Sequence, residues 1–348
     1  MSDPVGFEPD PRPRRFDFEV APGGYAWWYF DILADEGDRA LTAIVFIGSV
    51  FSPHYFAARR RASERGEAPP EPTRFCAVNL ALYRLGRRGS RAWVLSEYAQ
   101  CSRSESQLQV GASTVAWSED SQGPLLTLQV DEREPFLGRR PPFRHAVRGT
   151  IRLRPATIFA PRVDLDLWRE HPRHRWYPVA PHGRAEVELE APKLRFSGSA
   201  YHDVNEGDEP LEAGFASWNW SRSELDGDEA GQTLILYDVV DPDGRAHARG
   251  WRFDTHRRAC FDVAEDALGP AVALPRSFWG MDRSIRCRAD AEPRLIKTLE
   301  DSPFYTRNLV RTTVGAREST TMHESIDLRR FCAGKTQFLL PFRTRRRR

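Results

Sequence analysis

Apolar and polar residues alternate with a period of two through most of the chain. The alternation is clearest in six segments, which read RAWVLSEYAQ (91–100), LLTLQVDE (125–132), AVRGTIRLRP (146–155), RAEVELEAPKLRFSG (184–198), TLILYDVVDPDG (233–244) and RAHARGWRFD (245–254). This period is typical of strands with one buried face, and the Gly, Pro, Asn and Asp residues between them indicate turns. DPDG at 241–244 predicts a hairpin turn. Many short strands at close intervals favour an all-β protein built from sandwiches or barrels.

Helical periodicity is scarce. SPHYFAARRRASE (52–64) is the best candidate for a helix, with an irregular basic loop as the alternative, and the Pro-rich GEAPPEPT (66–73) indicates a connector. At 348 residues the chain could form two ordinary domains or one large β domain. Strand patterns continue on both sides of residues 180–200. We therefore predict two tandem β domains, an N-terminal one at 1–190 and a C-terminal one at 191–348.

Charge and apolar runs constrain the partners and the location of the protein. The 51 basic and 49 acidic residues give a net charge of +2, so we expect no nucleic-acid partner. The basic end, FRTRRRR (342–348), is either a solvated tail or a contact for anionic lipid headgroups. The N-terminal residues lack the apolar segment of a signal peptide. The longest apolar run, ALTAIVFIGSVF (40–51), is too short to span a bilayer. We expect a cytoplasmic protein that is peripheral on the inner membrane.

The cysteines and glycines exclude several chemistries. Five scattered cysteines form no CxxC or Cys/His cluster, which argues against a disulfide scaffold or a zinc module and fits a reducing compartment. The chain has no G-x-S-x-G nucleophile elbow and no dinucleotide-binding or phosphate-binding glycine pattern. We therefore expect neither a nucleotide cofactor nor a serine nucleophile.

One polar segment, GSAYHDVNEGDEPLEAG (198–214), raises the question of a site. Tyr201, His202, Asp203 and Asn205 lie within five positions and could form a polar turn, a metal site or an acid catalyst. The histidines of the chain lack the HxH and HExxH spacings of metal sites, so no metal is expected. An Asx-type turn that closes a hairpin remains the alternative to a catalytic role.

As a strand, this segment would place Tyr201, Asp203 and Asn205 on one face. The same two-residue step places His174 and Trp176 on one face of another strand. If both strands line one cavity, a carboxyl, a phenol and an imidazole converge beside an indole. A carboxyl group in an apolar pocket can stay protonated near neutral pH, and such an acid could protonate an alkene.

Aromatic residues near this segment have two interpretations. In AWWYFD (26–31), Trp27 and Tyr29 would face one way together with the preceding Tyr25, and the intervening aromatic residues would face the other way. Trp218 and Trp220 share one face in WNW (218–220). These side chains could fill a β core, or they could line a substrate tunnel and stabilise a cation.

Several sequence blocks resemble one known family. They are GGYAWWYFDILADEG, LTAIVFIGSVFSPHY, HRWYPVAP, GSAYHDVNEGDEPL, FASWNWSR, LEDSPFYTRN and MHESIDLRRF. Together they cover nearly the whole chain and resemble the carotenoid 1,2-hydratases, also called hydroxyneurosporene synthases. The resemblance implies two lipocalin-like β units in tandem. It also implies that water adds across the terminal C1=C2 bond of an acyclic carotene without a redox cofactor.

Carried over by position, the functional residues of that family correspond to His174, Trp176, Tyr201 and Asp203. The resemblance thus implies that Asp203 is the acid and that Trp176 faces the cation, while His174 or Tyr201 relays a proton from water. We predict substrate-binding roles for four further aromatic residues, which are Trp27, Tyr29, Trp218 and Trp220. Two alternatives remain, an acid-catalysed cyclase or isomerase of prenyl chains and a non-catalytic protein that binds carotenoids or lipids.

Overall fold

The structure is a computed structural model that describes residue 13 and residues 15–86, 92–134, 146–159, 162–264, 268–314 and 317–347. By its internal contacts, the described chain divides into two units. The N-terminal unit lies within Asp10–Leu211 and Gln337–Arg348, and the C-terminal unit lies within Glu212–Thr336.

The N-terminal unit contains a sheet with thirteen strands among the described residues. They are β1 (Tyr25–Ala34), β2 (Arg39–Ile47), β3 (Cys76–Arg84), β4 (Ala92–Tyr98), β5 (Cys101–Arg103), β6 (Gln107–Val110), β7 (Ser113–Asp120), β8 (Gly123–Arg133), β9 (Ala146–Pro155), β10 (Val163–Asp164), β11 (His174–Ala191), β12 (Leu194–Gly207) and β22 (Arg345–Arg347). Their order is β22-β4-β3-β2-β1-β12-β11-β9-β8-β7-β6-β5, and β10 pairs with β11. Neighbours are antiparallel except β22 and β4, which are parallel.

This sheet curls around an apolar core, with β4 approaching β8 and β3 approaching β6. One face of the sheet supplies the core, and typical members are Trp28, Phe30, Val45, Leu80 and Val187. Because the side-chain period of a strand is two, the residues between them lie on the opposite face. In β1 that second face is also buried, as expected from its aromatic residues.

The C-terminal unit contains a seven-stranded antiparallel sheet and a two-stranded sheet among the described residues. The larger sheet consists of β13 (Ser217–Glu224), β14 (Gln232–Val240), β15 (Ala246–Asp254), β16 (Ala259–Val263), β19 (Arg294–Asp301), β20 (Tyr305–Thr313) and β21 (Glu318–Asp327), and the smaller of β17 (Ala271–Ala273) and β18 (Ser284–Arg286). The order in the larger sheet is β16-β15-β14-β13-β21-β20-β19. The predicted turn at 241–244 joins β14 to β15, which confirms it.

Helices are short in the described residues. They are α1 (Pro53–Arg65), α2 (Leu211–Gly214), α3 (Leu328–Cys332) and α4 (Gly334–Arg343), with 3₁₀ turns at Pro72–Arg74 and Gly227–Glu229. The predicted helix at 52–64 is confirmed as α1. Ser52 caps it by accepting a 3.0 Å hydrogen bond from the Tyr55 backbone N–H, and Gly66 ends it in the left-handed conformation. No helix of the described chain has both the length and the apolarity needed to cross a bilayer.

The all-β prediction is confirmed, and two details differ. The segment 184–198 is the end of β11 and the start of β12 rather than one strand, because Pro192 lies in the turn between them. A domain boundary at 190/191 would separate these two long antiparallel partners, whereas the contacts divide the chain between Leu211 and Glu212.

The basic C-terminus also differs from one of its two sequence-based interpretations. A solvated tail is wrong for the described residues 345–347, because they pair with β4 as a parallel edge strand. The Arg343 guanidinium lies 4.1 Å from the centre of the Trp93 ring, and that of Arg346 lies 5.7 Å from the Phe75 ring. Cation–π contacts therefore help to hold this segment on the sheet.

Candidate active site

Three adjacent strands, β1, β12 and β11, carry the predicted polar and aromatic residues on one face. The register pairs Tyr29 with Asp203, and it pairs Asn205 with Trp27 on one side and Trp176 on the other. The period of two then fixes the composition of the face. Its members on these strands are Tyr25, Trp27, Tyr29, His174, Trp176, Tyr201, Asp203 and Asn205.

Asp203 is the centre of the hydrogen bonding on this face and is 3% exposed. Its Oδ2 atom accepts hydrogen bonds from the Trp176 indole N–H at 2.8 Å and from the Tyr201 hydroxyl at 2.7 Å. Its Oδ1 atom has a longer contact, 3.3 Å, from the Asn205 amide. The structure thus brings together Tyr201, Asp203 and Trp176, as the strand-face hypothesis predicted.

The two carboxyl oxygens are therefore not equivalent. Burial disfavours a charged carboxylate, whereas donated hydrogen bonds stabilise it. Oδ2 already accepts from two donors, so Oδ1 is the oxygen that can carry a proton and release it. After release, the Tyr201 hydroxyl and the Trp176 indole would stabilise the negative charge that remains. This arrangement suits a general acid that must become a base again.

The strand β11 is irregular just after Trp176. The pairing of β11 with β12 shifts register between Tyr177 and Ala180 and again between Ala180 and Gly183. Pro178 and Pro181 lie in these intervals and cannot donate to the ladder. Such bulges bend a strand and redirect its side chains. Trp176 pairs with Asn205 in register, yet its indole reaches Asp203 two residues away.

Aromatic rings surround the carboxyl group along the face. Tyr25 stacks on Trp27 with their centres 4.9 Å apart, and Trp27 lies 6.3 Å from Phe46. Tyr29 meets Tyr201 edge to face at 6.0 Å. These rings are buried, and their π faces can stabilise a carbocation without acting as nucleophiles. Trp27 and Tyr29 thus lie where the sequence prediction placed them, and their substrate-binding role stays a prediction.

His174 belongs to a separate hydrogen-bonded chain at the edge of this face. Its Nδ1 atom lies 2.8 Å from the Tyr25 hydroxyl and its Nε2 atom 3.2 Å from Glu209 Oε1. Its backbone N–H donates to Asp166 at 3.0 Å. Gly207 makes the Tyr25 contact possible, because a Cβ atom there would lie 2.5 Å from the Tyr25 ring. Because Tyr25 also stacks on Trp27, His174 is linked to the Asp203 face through rings.

Buried and charged neighbours hold His174 in place. Burial, followed by the charge of Asp166, raises the pKa of Tyr25 well above its usual range, so its hydroxyl stays protonated. Burial alone would raise the pKa of Glu209, but His174 and Arg169 together hold it below its usual value. Both ring nitrogens of His174 therefore have partners, the Tyr25 hydroxyl at Nδ1 and the Glu209 carboxylate at Nε2. The role of His174 as a proton relay stays a prediction.

The neighbours of Asp203 on the chain face the other way. His202 stacks on Phe30 at 4.5 Å inside the apolar core, and its Nδ1 atom lies 2.9 Å from the Tyr29 carbonyl oxygen. Burial lowers the pKa of His202 to about 4, so the ring is neutral at pH 7. Among the described residues, no group of three or more His, Cys, Asp or Glu side chains could hold a metal ion.

The predicted tryptophans of WNW lie in the C-terminal unit. Trp218 packs against Phe215 at 5.4 Å and against Tyr237 at 6.0 Å. Trp220 is buried and lies opposite Tyr237 and Glu324 in the register. These contacts fit core packing, and a contact of Trp218 or Trp220 with substrate stays a prediction.

Sequence reasoning gave no role to three members of the site. Asn205 was placed on the Asp203 face with a turn as the alternative, and it lies within β12 and contacts Asp203. Tyr25 was placed on the correct face without a role. Glu209 follows the strand, and only its position near a histidine 35 residues away gives it a function. The period of two thus located Asn205 and Tyr25, whereas no local signal marks Glu209.

The fold and this face define a class of protein, an all-β lipocalin-like protein with a buried acid among aromatic rings. The lipocalin-like fold is also that of an AttH-type protein of Nitrosomonas europaea, to which the chain is similar with a TM-score of 0.55 and 13% identity. That comparison covers 87% of this chain and 92% of the other.

Sequence comparison identifies the family within this class. The family described as carotenoid hydratase CrtC matches residues 43–348, and the chain belongs to it. An acyclic carotenoid 1,2-hydratase of Thiocapsa roseopersicina is 40% identical over 98% of this chain and 77% of its own length. Another of Rubrivivax gelatinosus is 36% identical over 96% of this chain and 76% of its own length. The resemblance noted in the sequence is therefore confirmed, and the chain is a hydratase.

Proposed function

We propose that this hydratase adds water across the terminal C1=C2 bond of an acyclic carotenoid of the neurosporene or lycopene type and forms a tertiary alcohol. One observation carries the proposal: a carboxyl group, Asp203, is buried among aromatic rings and accepts hydrogen bonds from Trp176 and Tyr201. An apolar alkene offers no polar handle, so a proton donor in an apolar surrounding is the chemistry that it requires. The names of the relatives support the substrate class.

The first step is proton transfer from Asp203 to C2. The π electrons form the new C2–H bond, and a tertiary cation results at C1, because protonation of the less substituted carbon gives the more stable ion. The rings of Trp27, Tyr29 and Trp176 are placed to stabilise this cation. The carboxylate left behind keeps the two donors on Oδ2, so the charge that develops on Asp203 is stabilised as it forms.

The second step is capture of the cation by water. The water oxygen bonds to C1, and its surplus proton returns to the Asp203 carboxylate, which restores the acid. The net reaction adds the elements of one water to the alkene, and no oxidant or reductant is consumed. His174 and Tyr25 support the rings rather than carry this proton, because both His174 ring nitrogens are already engaged.

Isotope labelling tests the reaction class. Purified protein is incubated with lycopene in mixed micelles prepared in water enriched in heavy oxygen, and the pigments are separated and weighed by mass spectrometry. We expect a product that is heavier by one labelled water, and none with Asp203→Asn. A cyclised or isomerised product without label would show a prenyl-chain cyclase instead. Binding without any product would show a carrier.

The location is a further part of the proposal, in which the protein works as a peripheral protein on the cytoplasmic side of the inner membrane. Phe338 and Phe342 on α4 are 69% and 47% exposed, and their rings lie 5.6 Å apart. The basic Arg343 and Arg346 follow them in the sequence, which suits a leaflet with anionic lipids. The free cysteines of the described chain fit a reducing compartment.

Vesicle flotation tests this location. We expect the protein to float with phosphatidylglycerol vesicles and the double variant Phe338→Ser/Phe342→Ser to stay in solution. Leu167→Ser, at a side chain that is 54% exposed in the same unit, is the matched control and should float. Equal flotation of all three proteins, or flotation of none, would contradict the proposed surface.

A further inference from the structure

The Asn205 side chain contains a buried acceptor that the proton-transfer step does not use. Its Nδ2 atom donates to Asp203 Oδ1 at 3.3 Å, whereas its Oδ1 atom has no hydrogen-bond partner within the described part of the chain. Asn205 is 2% exposed, so bulk water does not solvate this oxygen. A buried amide oxygen without a partner costs free energy, and such an atom in a site indicates a missing ligand.

The orientation of the amide follows from its neighbour. The Asn205 N–H group donates to Asp203 Oδ1, which can accept whether or not the carboxyl group carries its proton, so the Asn205 carbonyl points away from that carboxyl. Asn205 lies on the catalytic face, between Trp27 and Trp176 in the register. The free carbonyl oxygen therefore belongs to the same aromatic surroundings that receive the end of the substrate.

The chemistry of the reactants identifies the missing ligand. The reacting end of an acyclic carotene is a hydrocarbon and has no hydrogen to donate to an amide oxygen. Water is the only polar reactant, and its O–H group would pair with the Asn205 carbonyl. Held there, the water keeps a lone pair for C1 and lies on the same face of the sheet as the carboxyl group that must take back its proton.

We propose that Asn205 positions the nucleophilic water of the hydration, an inference that rests on the proposed function. Its carbonyl accepts one O–H of the water, and its N–H group keeps Asp203 Oδ1 turned toward the same point. The water oxygen forms the bond to C1, and the proton leaves for the Asp203 carboxylate. Asn205 itself neither gains nor loses a proton. It is a positioning residue for the second step and not for the first.

Separating the two steps tests this role. In heavy water, Asp203 delivers a deuteron to C2. A cation that water fails to capture returns to alkene by losing H⁺ from C2 or from a methyl group on C1, so the recovered carotene carries deuterium. Recovered carotene then reports protonation, while the alcohol reports capture. We expect Asn205→Ala to lower alcohol formation about 100-fold, because misplacing a reactant by about 1 Å has an effect of this size. The ratio of deuterium in recovered carotene to alcohol should rise at least about tenfold.

Three controls make the outcome decisive. Asn79→Ala removes another buried asparagine, whose amide donates to the Val94 carbonyl at 2.7 Å, and should leave the ratio unchanged. Asn205→Ser keeps an acceptor and should recover part of the alcohol formation, even if the alanine variant folds poorly. Asp203→Asn should abolish both deuterium uptake and alcohol formation.

Two results would overturn the role of Asn205. One is a parallel decrease of deuterium uptake and alcohol in both Asn205 variants, which would place Asn205 in the proton-transfer step. The other is hydration by Asn205→Ala at the wild-type rate. If the wild type forms no alcohol, the proposed function is overturned and the inference with it. That outcome is seen in the wild type alone, so it is distinct from a failure of the Asn205 role, which is seen only in the variants.

Discussion

Two buried polar clusters, one in each unit, differ in how completely their hydrogen bonds are made. In the C-terminal unit, His323 Nε2 lies 2.8 Å from the Ser284 carbonyl oxygen, and its Nδ1 atom lies 3.2 Å from the Asn308 amide nitrogen. Asn308 Oδ1 accepts from Arg283 at 2.5 Å, and its Nδ2 atom is 3.3 Å from Thr306. Both polar atoms of the Asn308 amide therefore have partners.

The Asp203 cluster of the N-terminal unit is equally buried, but it is incomplete. Asn205 presents a carbonyl oxygen without a partner among the described residues, and its amide nitrogen lies a long 3.3 Å from Asp203 Oδ1. A saturated network fixes a fold, because each member is held and none is left to react. An unsaturated one in an aromatic surrounding leaves places for a proton and for water. The two clusters are equally buried, so the difference between the structural cluster and the catalytic one lies in how many of their polar atoms have hydrogen-bond partners.

The largest expected effect is on catalysis by the incomplete cluster. Asp203→Asn keeps the shape and the burial but removes the acidic proton, so we expect kcat to decrease by about 10³ to 10⁴-fold. The melting temperature should change little, because the amide can still accept from Trp176 and Tyr201. Pigment chromatography and thermal unfolding measure the two quantities. Hydration within tenfold of the wild type would refute the role of Asp203.

The complete cluster should respond in the opposite way. Asn308→Ala leaves the Arg283 guanidinium and His323 each without one partner, and we expect the free energy of unfolding to decrease by about 3 kcal/mol. Hydration per folded molecule should stay within about twofold of the wild type, because no reacting atom is involved. Urea denaturation and initial rates at low temperature measure these effects. A stable but inactive variant would contradict the distinction between the clusters.

Acid should weaken the complete cluster. Burial, the largest cause, lowers the pKa of His323 to about 4, whereas a histidine in the unfolded chain has a pKa of about 6.5. The unfolded state therefore binds more protons between these values, and stability decreases as the pH falls from about 6.5 to about 4. We expect a loss of about 2 to 3 kcal/mol from this residue. Denaturation at several pH values should show a shallower slope for His323→Gln, and an unchanged slope would exclude His323 as its source.

The smallest expected effect concerns the charge on Asp203 Oδ2. Tyr201→Phe removes one of its two donors and leaves Trp176 in place. The carboxylate formed in the first step is then less stabilised, and we expect about a tenfold decrease in kcat, which corresponds to the loss of one hydrogen bond to a charged group. KM should change little, because the substrate is apolar. A 1,000-fold decrease would instead make Tyr201 a proton carrier.

The local pattern of residues was enough to predict much of this protein. The alternation in AYHDVN assigned Tyr201, Asp203 and Asn205 to one face, and the same period separated Trp27 and Tyr29 from the aromatic residues between them. The helix α1 followed from the helical pattern of residues 52–64. These features depend on neighbours along the chain, so the sequence by itself determined them.

Features that depend on distant pairing were decided only by the tertiary structure. The sequence did not reveal that β1 lies between β2 and β12, that the Trp176 indole bonds to Asp203, or that Glu209 meets His174. It gave an approximate boundary at 190/191 and left 342–348 as either a solvated tail or a lipid contact, because the contacts that pair β11 with β12 and 345–347 with β4 come from other strands. Period fixes which side chains share a face, whereas register between strands distant in sequence decides which of them meet.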